Sequence, residues 1–318
     1  MSEETAFTES LSFHDWRLTV ISLVMTTYNG EKYLEEQLDS IRDQTRKPDE
    51  VLIFDDCSTD NTAELVRKYI ERNKIANWVF TVNEKNKGYS RNFTDGIKTA
   101  VGDIVFLADQ DDIWYIDKIE KMCAVMDKNP QIELLASNVD TFYTGTSPQK
   151  INFEWYCGEL VKIKNRKKWI KPARPGCSMC FRKSLMDDYD ELWFPEYAHD
   201  CLLWGLAVFK GSAYLYNKST LRFRRHDTNA SSRGRLNMAY RLKGLETEIK
   251  IINHMVQISE KKNLSQEQFV KKQRNVYCQR KKILEQKNVL RAIMMLKNLR
   301  YYARTRYWLT DIFYCMKR

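Results

Sequence analysis

The stretch Asp103-Ile104-Val105-Phe106-Leu107-Ala108-Asp109-Gln110-Asp111-Asp112 decides how this chain reads. Its first half is a run of β-branched and large apolar side chains, the pattern of a strand buried on both faces in a parallel sheet. Its second half places three carboxylates in four residues. Like charges this close repel and raise one another's pKa, so packing alone gives no reason for them. A divalent cation removes the repulsion: Mg²⁺ or Mn²⁺ takes oxygen ligands, commonly one or two carboxylates together with the phosphates of a substrate. Open α/β sheets also bind their ligands outside the carboxyl ends of the strands. From these residues alone, a metal site and an acidic cap for a helix beginning near Asp117 stay equally open.

Upstream, the same strand-then-polar arrangement recurs. Leu18–Met25 predicts a strand that ends at Thr26-Thr27-Tyr28-Asn29-Gly30, followed by a helix with Tyr33, Leu34, Leu38 and Ile41 inward. Glu50–Phe54 predicts a second strand ending at Asp55-Asp56, and Ser58-Thr59-Asp60-Asn61 supplies N-cap chemistry for the helix carrying Leu65, Val66, Tyr69 and Ile70. Trp78–Val82 is a third strand, and Gly88-Tyr89-Ser90-Arg91-Asn92-Phe93 opens a helix that ends near Gly102. Alternating strands and helices specify a doubly wound, mostly parallel α/β sheet. Polar residues after each strand, at Thr26/Tyr28, Asp55/Asp56 and Asp109/Asp111, then share one edge.

Downstream the pattern is mixed. Ile132–Asn138 and Leu215–Phe223 read as strands, Pro175–Phe181 as a turn into a strand, and Trp204–Phe209 as part of a helix starting near Asp200. The six basic residues of Lys162–Lys171 read as a solvated loop or as a patch facing an acceptor. Beyond residue 235 there is no proline and only Gly244, and Leu242, Leu245, Ile249, Ile252, Met255 and Val256 recur at helical spacing.

The charge is lopsided. The net charge of +10 combines −4 over residues 1–225 with +14 over residues 226–318, where 21 Lys and Arg face 7 Asp and Glu. A basic helical tail with interfacial Tyr, Trp and Phe suits an anionic bilayer surface, or its apolar faces pack back onto the sheet. Nucleic acid is the other anionic partner, but no nucleic-acid motif appears. Eight cysteines without an even spacing ladder, and no signal peptide, predict reduced thiols and a cytoplasmic protein. Cys177 and Cys180 form one CxxC without a second pair to complete a zinc site. No run of 18 apolar residues spans a membrane.

Four motifs in order, Ser22–Asn29, Asp55–Asp60, Asn86–Phe93 and Asp109–Trp114, resemble family-two glycosyltransferases of the GT-A fold over roughly residues 18–225. Their wording is similar to that of bacterial transferases of capsular and cell-wall polysaccharides, including rhamnosyltransferases. The resemblance divides the chain into a lead-in (1–17), a GT-A domain (18–225) and a basic helical C-terminal region (226–318). It implies inverting transfer from a UDP- or dTDP-sugar, with dTDP-rhamnose among the candidates, to a hydroxyl of a glycan acceptor, expected to be lipid-linked. Thr26, Tyr28, Asn29, Lys87, Gly88 and Asn92 would line the nucleotide site, with Asp56 accepting from the base N3–H, Asp55 beside it and Asp109 near the ribose. Asp111, Asp109 and His226 would hold Mn²⁺ or Mg²⁺. Asp200 would be the general base. Gly176, Cys177, Ser178, Asp112, His199 and Trp204 would line the donor and acceptor pocket. Cys201 stands where the family often has Trp, which leaves the shape of the acceptor site open. A UDP-hexose transferase extending a protein-linked glycan is the neighbouring alternative, and a non-catalytic nucleic-acid or assembly partner a distant one. The implied setting is peripheral, on the inner face of a bacterial membrane, with self-association open.

Overall fold

The computed structural model describes residues 19–145, 151, 153–164, 169–195, 197–227, 237–261 and 266–317. The expected lead-in, and residues 165–168 of the basic stretch, lie outside them. The first half alternates as expected: β1 (Ile21–Thr27), α1 (Leu34–Arg42), β2 (Glu50–Asp55), α2 (Thr62–Arg72), β3 (Trp78–Val82), α3 (Tyr89–Thr99) and β4 (Ile104–Ala108). Then come β5 (Ile113–Trp114), α4 (Lys118–Lys128), β6 (Leu134–Tyr143), β7 (Leu160–Lys162) and β8 (Met179–Arg182). A short α5 (Tyr189–Leu192) leads to α6 (His199–Lys210) and the long β9 (Ala213–Arg225).

These strands form one sheet in the order β3-β2-β1-β4-β8-β6-β9-β5, with β7 on β9. β3, β2, β1 and β4 run parallel. β8 enters antiparallel between β4 and β6. β6 and β9 are again parallel, and β5 pairs antiparallel with β9. The register opposes Thr27 to Asp55 and Met25 to Ala108, so the polar residues that follow β1, β2 and β4 leave the sheet at one edge.

Period-two alternation sorts the two cores. On β1 and β4, Leu23, Met25, Ile104 and Phe106 face one layer with Leu38, Val66 and Met122 from α1, α2 and α4. Val24, Val105 and Leu107 face the other, with Phe93 and Ile97 of α3 and Leu203 and Trp204 of α6. Both faces of β4 are covered, which explains its unbroken apolar run.

The C-terminal helices α7 (Met238–Lys261), α8 (Glu267–Glu285), α9 (Val289–Met294) and α10 (Arg306–Met316) join the second layer. Leu245, Ile252, Val270 and Tyr277 belong to the same buried cluster as Val24 and Trp204. Polar contacts tie the layers: Trp169 Nε1 donates to Gln273 Oε1 at 2.8 Å, and Lys171 pairs with Glu248 at 2.9 Å. Lys171 is therefore a structural strut and not a loop charge.

Two expectations about caps are corrected. Only Asp60 of Ser58–Asn61 serves the start of α2, accepting from Thr62 N–H at 3.0 Å, because Ser58 is drawn to Asp55. The acidic cluster does not cap α4: Asp112 is 0% exposed and accepts from Arg224 N–H at 3.0 Å instead. All eight cysteines are free thiols, including Cys177 and Cys180.

Candidate active site

The edge formed by the ends of β1, β2 and β4 is braced by its own polar residues. Asp55 is fully buried and accepts from the Thr27 hydroxyl at 2.7 Å and from Ser58 N–H and Oγ at 2.8 and 2.6 Å. At 0% exposure it braces the end of β1 against the turn after β2, and this burial corrects the expectation that it meets a nucleotide. Asn92 is corrected in the same way: at 0% exposure it donates to the Phe54 carbonyl at 2.8 Å and accepts from Asn83 Nδ2. Asn83 in turn donates to Asp56 Oδ1.

Asp56 also accepts from Lys87 N–H and Gly88 N–H, both at 2.8 Å. Three of the about four acceptor directions of a carboxylate are thus occupied, leaving one open. Gly88 holds φ at +82°, a conformation that side chains with a Cβ rarely adopt, and this lets its N–H turn to Asp56. Lys87 pairs with Asp95 at 3.1 Å, as does Arg91 at 2.7 Å.

Thr26 is half-buried, whereas Tyr28 and Asn29 are exposed at the tip of β1. Gln110 fixes that tip, its amide accepting from Tyr28 N–H at 2.8 Å and donating to the Tyr28 carbonyl at 3.0 Å. Asn29 sits at φ +48° and accepts from Thr59 N–H at 2.8 Å. Gln110 was invisible to sequence reasoning, which weighed only its charged neighbours.

Beyond β4 the carboxylates separate into two groups. Asp109, Asp112 and Cys177 bring ligand atoms within 4.8 Å of one another. Burial, then Asp111 and Asp200, push the Asp109 carboxyl up to about 7. Burial pushes Asp112 well above the carboxylate range, and its Oδ2 has no partner. Asp111 instead meets His226, whose Nε2 lies 2.8 Å from Oδ2, and the His226 ring tilts against Tyr33 at 5.0 Å. Arg224, next but one to His226, donates to the Asp111 carbonyl at 2.8 Å.

A buried cation lies beneath the cluster. Lys118 is 0% exposed, donates to the Cys177 carbonyl at 2.6 Å and stands 3.8 Å from the centre of the Trp114 ring. Burial draws its pKa down to about 8. Sequence alone presents Lys118 as an ordinary first-turn lysine, so its role and that of Arg224 emerge only from the fold.

The donor set suits a hard divalent cation. The group brought together, Asp109 and Asp112 with Cys177, is rich in carboxylate oxygen, and Asp112 is buried in it, while the expected ligands Asp111 and His226 pair with each other beside it. The Cys177 thiol is pushed well above its usual pKa by burial and stays neutral, so the carboxylates are the better ligands.

On the far side, Asp200 opens α6, with its Oδ1 accepting from Cys201 N–H at 2.8 Å. Gly176 lies against it: a Cβ there would stand 2.9 Å from the Asp200 Cβ. Glycine is what leaves the carboxylate room. Ser178 is buried and donates to the Pro175 carbonyl at 2.7 Å, shaping this turn. His199 stacks on Phe93 at 3.9 Å and is held neutral by burial, with its pKa down to about 4. At 5% exposure it packs into the fold beside Asp200. Trp204, one helical turn past Asp200, is 0% exposed in the core, which corrects the expectation that it lines the pocket.

Comparison with known proteins agrees on the fold and the family. The family model for glycosyl transferase family 2 matches residues 22–190. The dTDP-rhamnosyl transferase RfbG of Shigella flexneri is 29% identical over 226 residues, 64% of this chain and 72% of that protein. The poly(ribitol-phosphate) beta-N-acetylglucosaminyltransferase TarS of Staphylococcus aureus is 30% identical over 178 residues, 55% of this chain. The match spans only 29% of the length of TarS. Among solved structures, S. aureus TarS 1-349 in complex with UDP-GlcNAc superposes with a TM-score of 0.59 at 18% identity, covering 92% of this chain and 88% of that one. The mannosyltransferase PcManGT of Pyrobaculum calidifontis, in complex with GDP-Man and Mn²⁺, gives 0.54 at 16% identity over 94% and 85%.

Proposed function

The chain belongs to glycosyl transferase family 2 and has a GT-A fold, and from that premise we propose that it moves a sugar, with inversion, from a UDP- or dTDP-sugar to a glycan hydroxyl. This reading rests on one observation. Asp109 and Asp112 lie with Cys177, the adjacent Gly176 lies against Asp200 at the start of α6, and His226 after β9 meets Asp111, so the carboxylates and the base gather at one sheet edge.

The roles follow from what each residue has free. The exposed Tyr28 ring stacks on the base, and the one open acceptor direction of Asp56 takes the base N3–H, which uracil and thymine share. Asp109 faces the ribose. Asp109 and Asp112, with Asp111 held beside them by His226, would hold Mn²⁺ or Mg²⁺, which when bound would offset the charge that builds on the departing diphosphate.

Asp200 performs the proton transfer. The acceptor oxygen bonds to the anomeric carbon as the bond from that carbon to the diphosphate breaks, and the hydroxyl proton passes to Asp200 Oδ2. Its other oxygen is held by Cys201 N–H, which fixes the carboxylate's direction. The cluster carboxylates would be poor bases with a cation bound, because its charge would neutralise theirs.

The tail, residues 226–318, would carry a separate function as a membrane-contacting region beside the catalytic domain of residues 18–225. His226 itself belongs with the catalytic edge.

A thermal-shift screen of UDP, dTDP, UDP-glucose, UDP-N-acetylglucosamine and dTDP-rhamnose with Mn²⁺ identifies the donor, since ligand binding stabilises the native state. With that donor, Asp200→Asn is expected to lower turnover by about 10²–10⁴-fold while the nucleotide shift persists. Asp111→Ala is expected to abolish Mn²⁺-dependent turnover. Wild-type transfer in Asp111→Ala would overturn the reading.

A further inference from the structure

Gln110 stands between Asp109 and Asp111, yet its side chain is bonded to the tip of β1. Its Oε1 accepts from Tyr28 N–H at 2.8 Å, and its Nε2 donates to the Tyr28 carbonyl at 3.0 Å. We infer that Gln110 is a positioning residue for the nucleotide, tying the Tyr28 ring to the segment that carries the acidic cluster. The base and the diphosphate are thereby held at a fixed offset. The inference rests on the transferase reading above, in which Tyr28 stacks on the base and the cluster holds the cation, and deepens it.

The sheet itself does not make this connection. The pairing of β1 with β4 ends at Met25 opposite Ala108, whereas the pairing of β1 with β2 runs on to Thr27 opposite Asp55. Tyr28 and the acidic segment both lie beyond the last rung between their own strands. The Gln110 amide supplies the next one. Two bonds exchanged with a single backbone residue are what a facing residue makes across an antiparallel ladder. A primary amide can imitate it because acceptor and donor lie side by side on one group. Glutamate has the same shape, but it would set an oxygen against the Tyr28 carbonyl and a further charge between Asp109 and Asp111.

A second residue is committed to the same contact. A Cβ on Gly30 would stand 2.3 Å from Gln110 Oε1, 2.5 Å from Cδ and 2.9 Å from Nε2. Gly30 lies outside the left-handed region, so glycine is needed here for room and not for backbone conformation. The other side of the tip is anchored to the turn between β2 and α2. Asn29 N–H donates to Ser58 Oγ at 2.9 Å, and Gly30 N–H to Thr62 Oγ1 at 2.8 Å. Gln110 supplies the anchor toward β4. Between these two anchors the Tyr28 side chain remains 46% exposed.

The test measures the affinity of UDP and dTDP, each with Mn²⁺, by titration calorimetry on the full chain. Wild type, Tyr28→Ala, Gln110→Met and the two changes combined form a cycle. Tyr28→Ala is expected to weaken binding about fivefold or more through lost stacking. Gln110→Met fills similar space without either bond and is expected to weaken it about three- to tenfold. If Gln110 acts through Tyr28, the double variant binds within about twofold of Tyr28→Ala, because residues in contact are not additive. Gly30→Ala should reproduce the loss seen in Gln110→Met, since its methyl displaces only the flexible end of the Gln110 side chain. It also provides the test if Gln110→Met does not fold. Unchanged affinity in folded Gln110→Met would overturn the inference. So would losses that multiply in the double variant, the mark of a residue acting on the cation and not on Tyr28. Failure of the wild type to bind either nucleotide sinks the transferase reading, while wild-type binding with an unaffected Gln110→Met sinks only the positioning role.

Discussion

His199 and Asp200 are neighbours in sequence and opposites in environment. Asp200 stands at the opening left by Gly176, while His199 is sealed against Phe93 with its Nδ1 unpartnered. Burial disfavours the imidazolium and depresses the folded pKa from 6.5 to about 4, so the unfolded chain binds more protons between those values. The stability contribution is complete above pH 6.5 and is lost as pH falls toward 4. At pH 5 the expected loss is about 2 kcal/mol relative to pH 7.5. His199→Phe keeps the stacking ring without the proton, so urea denaturation at the two pH values should differ by about that much less than in the wild type. An unchanged difference would show that His199 is not the group responsible. Residue identities in the motifs were legible from the sequence. Which of them face inward was not: Asp55, Asn92 and Trp204 have the right types and positions for a ligand site, yet each is fully buried by partners distant in sequence.

At the scale of elements, the first four strands and their helices were readable because parallel βα units carry their signal locally, in apolar runs and 3.6-residue spacing. β5, of two residues, and β7, of three, are too short to show a pattern. The place of β8 was also hidden, since an apolar run states that a strand forms and not which strands it joins. The tail helices hold another feature no periodicity reveals. Arg280 on α8 is 0% exposed at its side chain and pairs with Asp311 on α10 at 2.7 Å, with Arg241 of α7 joining at 3.1 Å. Removing one partner of a buried pair strands the other charge, so Asp311→Ala is expected to cost about 3–5 kcal/mol, measured by urea denaturation. The double change Arg280→Met/Asp311→Leu should recover part of that, because an apolar pair avoids the desolvation cost of Arg280, while Arg241 loses its bond to Asp311. A loss below about 1 kcal/mol in Asp311→Ala would show that the pair does not hold α10 in place.

At the scale of the whole molecule, the tail has two faces. One is part of the core shared with α6 and the sheet. The other exposes Leu290, Ile293 and Met294 on α9, Leu296 after it, and Leu309, Phe313 and Met316 on α10. α9 and α10 touch through Trp308, whose Nε1 donates to the Ala292 carbonyl at 2.8 Å, and Arg291, Lys297, Arg300 and Arg306 are exposed around them. No helix among the described residues is long and apolar enough to cross a membrane. An apolar face rimmed by cations fits the headgroup region of anionic lipid. The chain is therefore expected to cosediment with vesicles of phosphatidylglycerol and phosphatidylethanolamine, to release as salt rises, and to lose binding in Leu309→Glu/Phe313→Glu. Equal binding to neutral vesicles, or no effect of the double variant, would rule out this docking face. The sequence by itself determined the alternation of elements, the polar edge after β1, β2 and β4, and the charge asymmetry, because each is written in neighbouring residues. Only the tertiary structure decided which carboxylates stay open to a ligand, that Lys118 and Arg224 support the cluster, and which tail face is buried. Those outcomes depend on burial and on partners up to 188 residues apart, as in Arg224 with Glu36, and a one-dimensional pattern carries no record of such pairings.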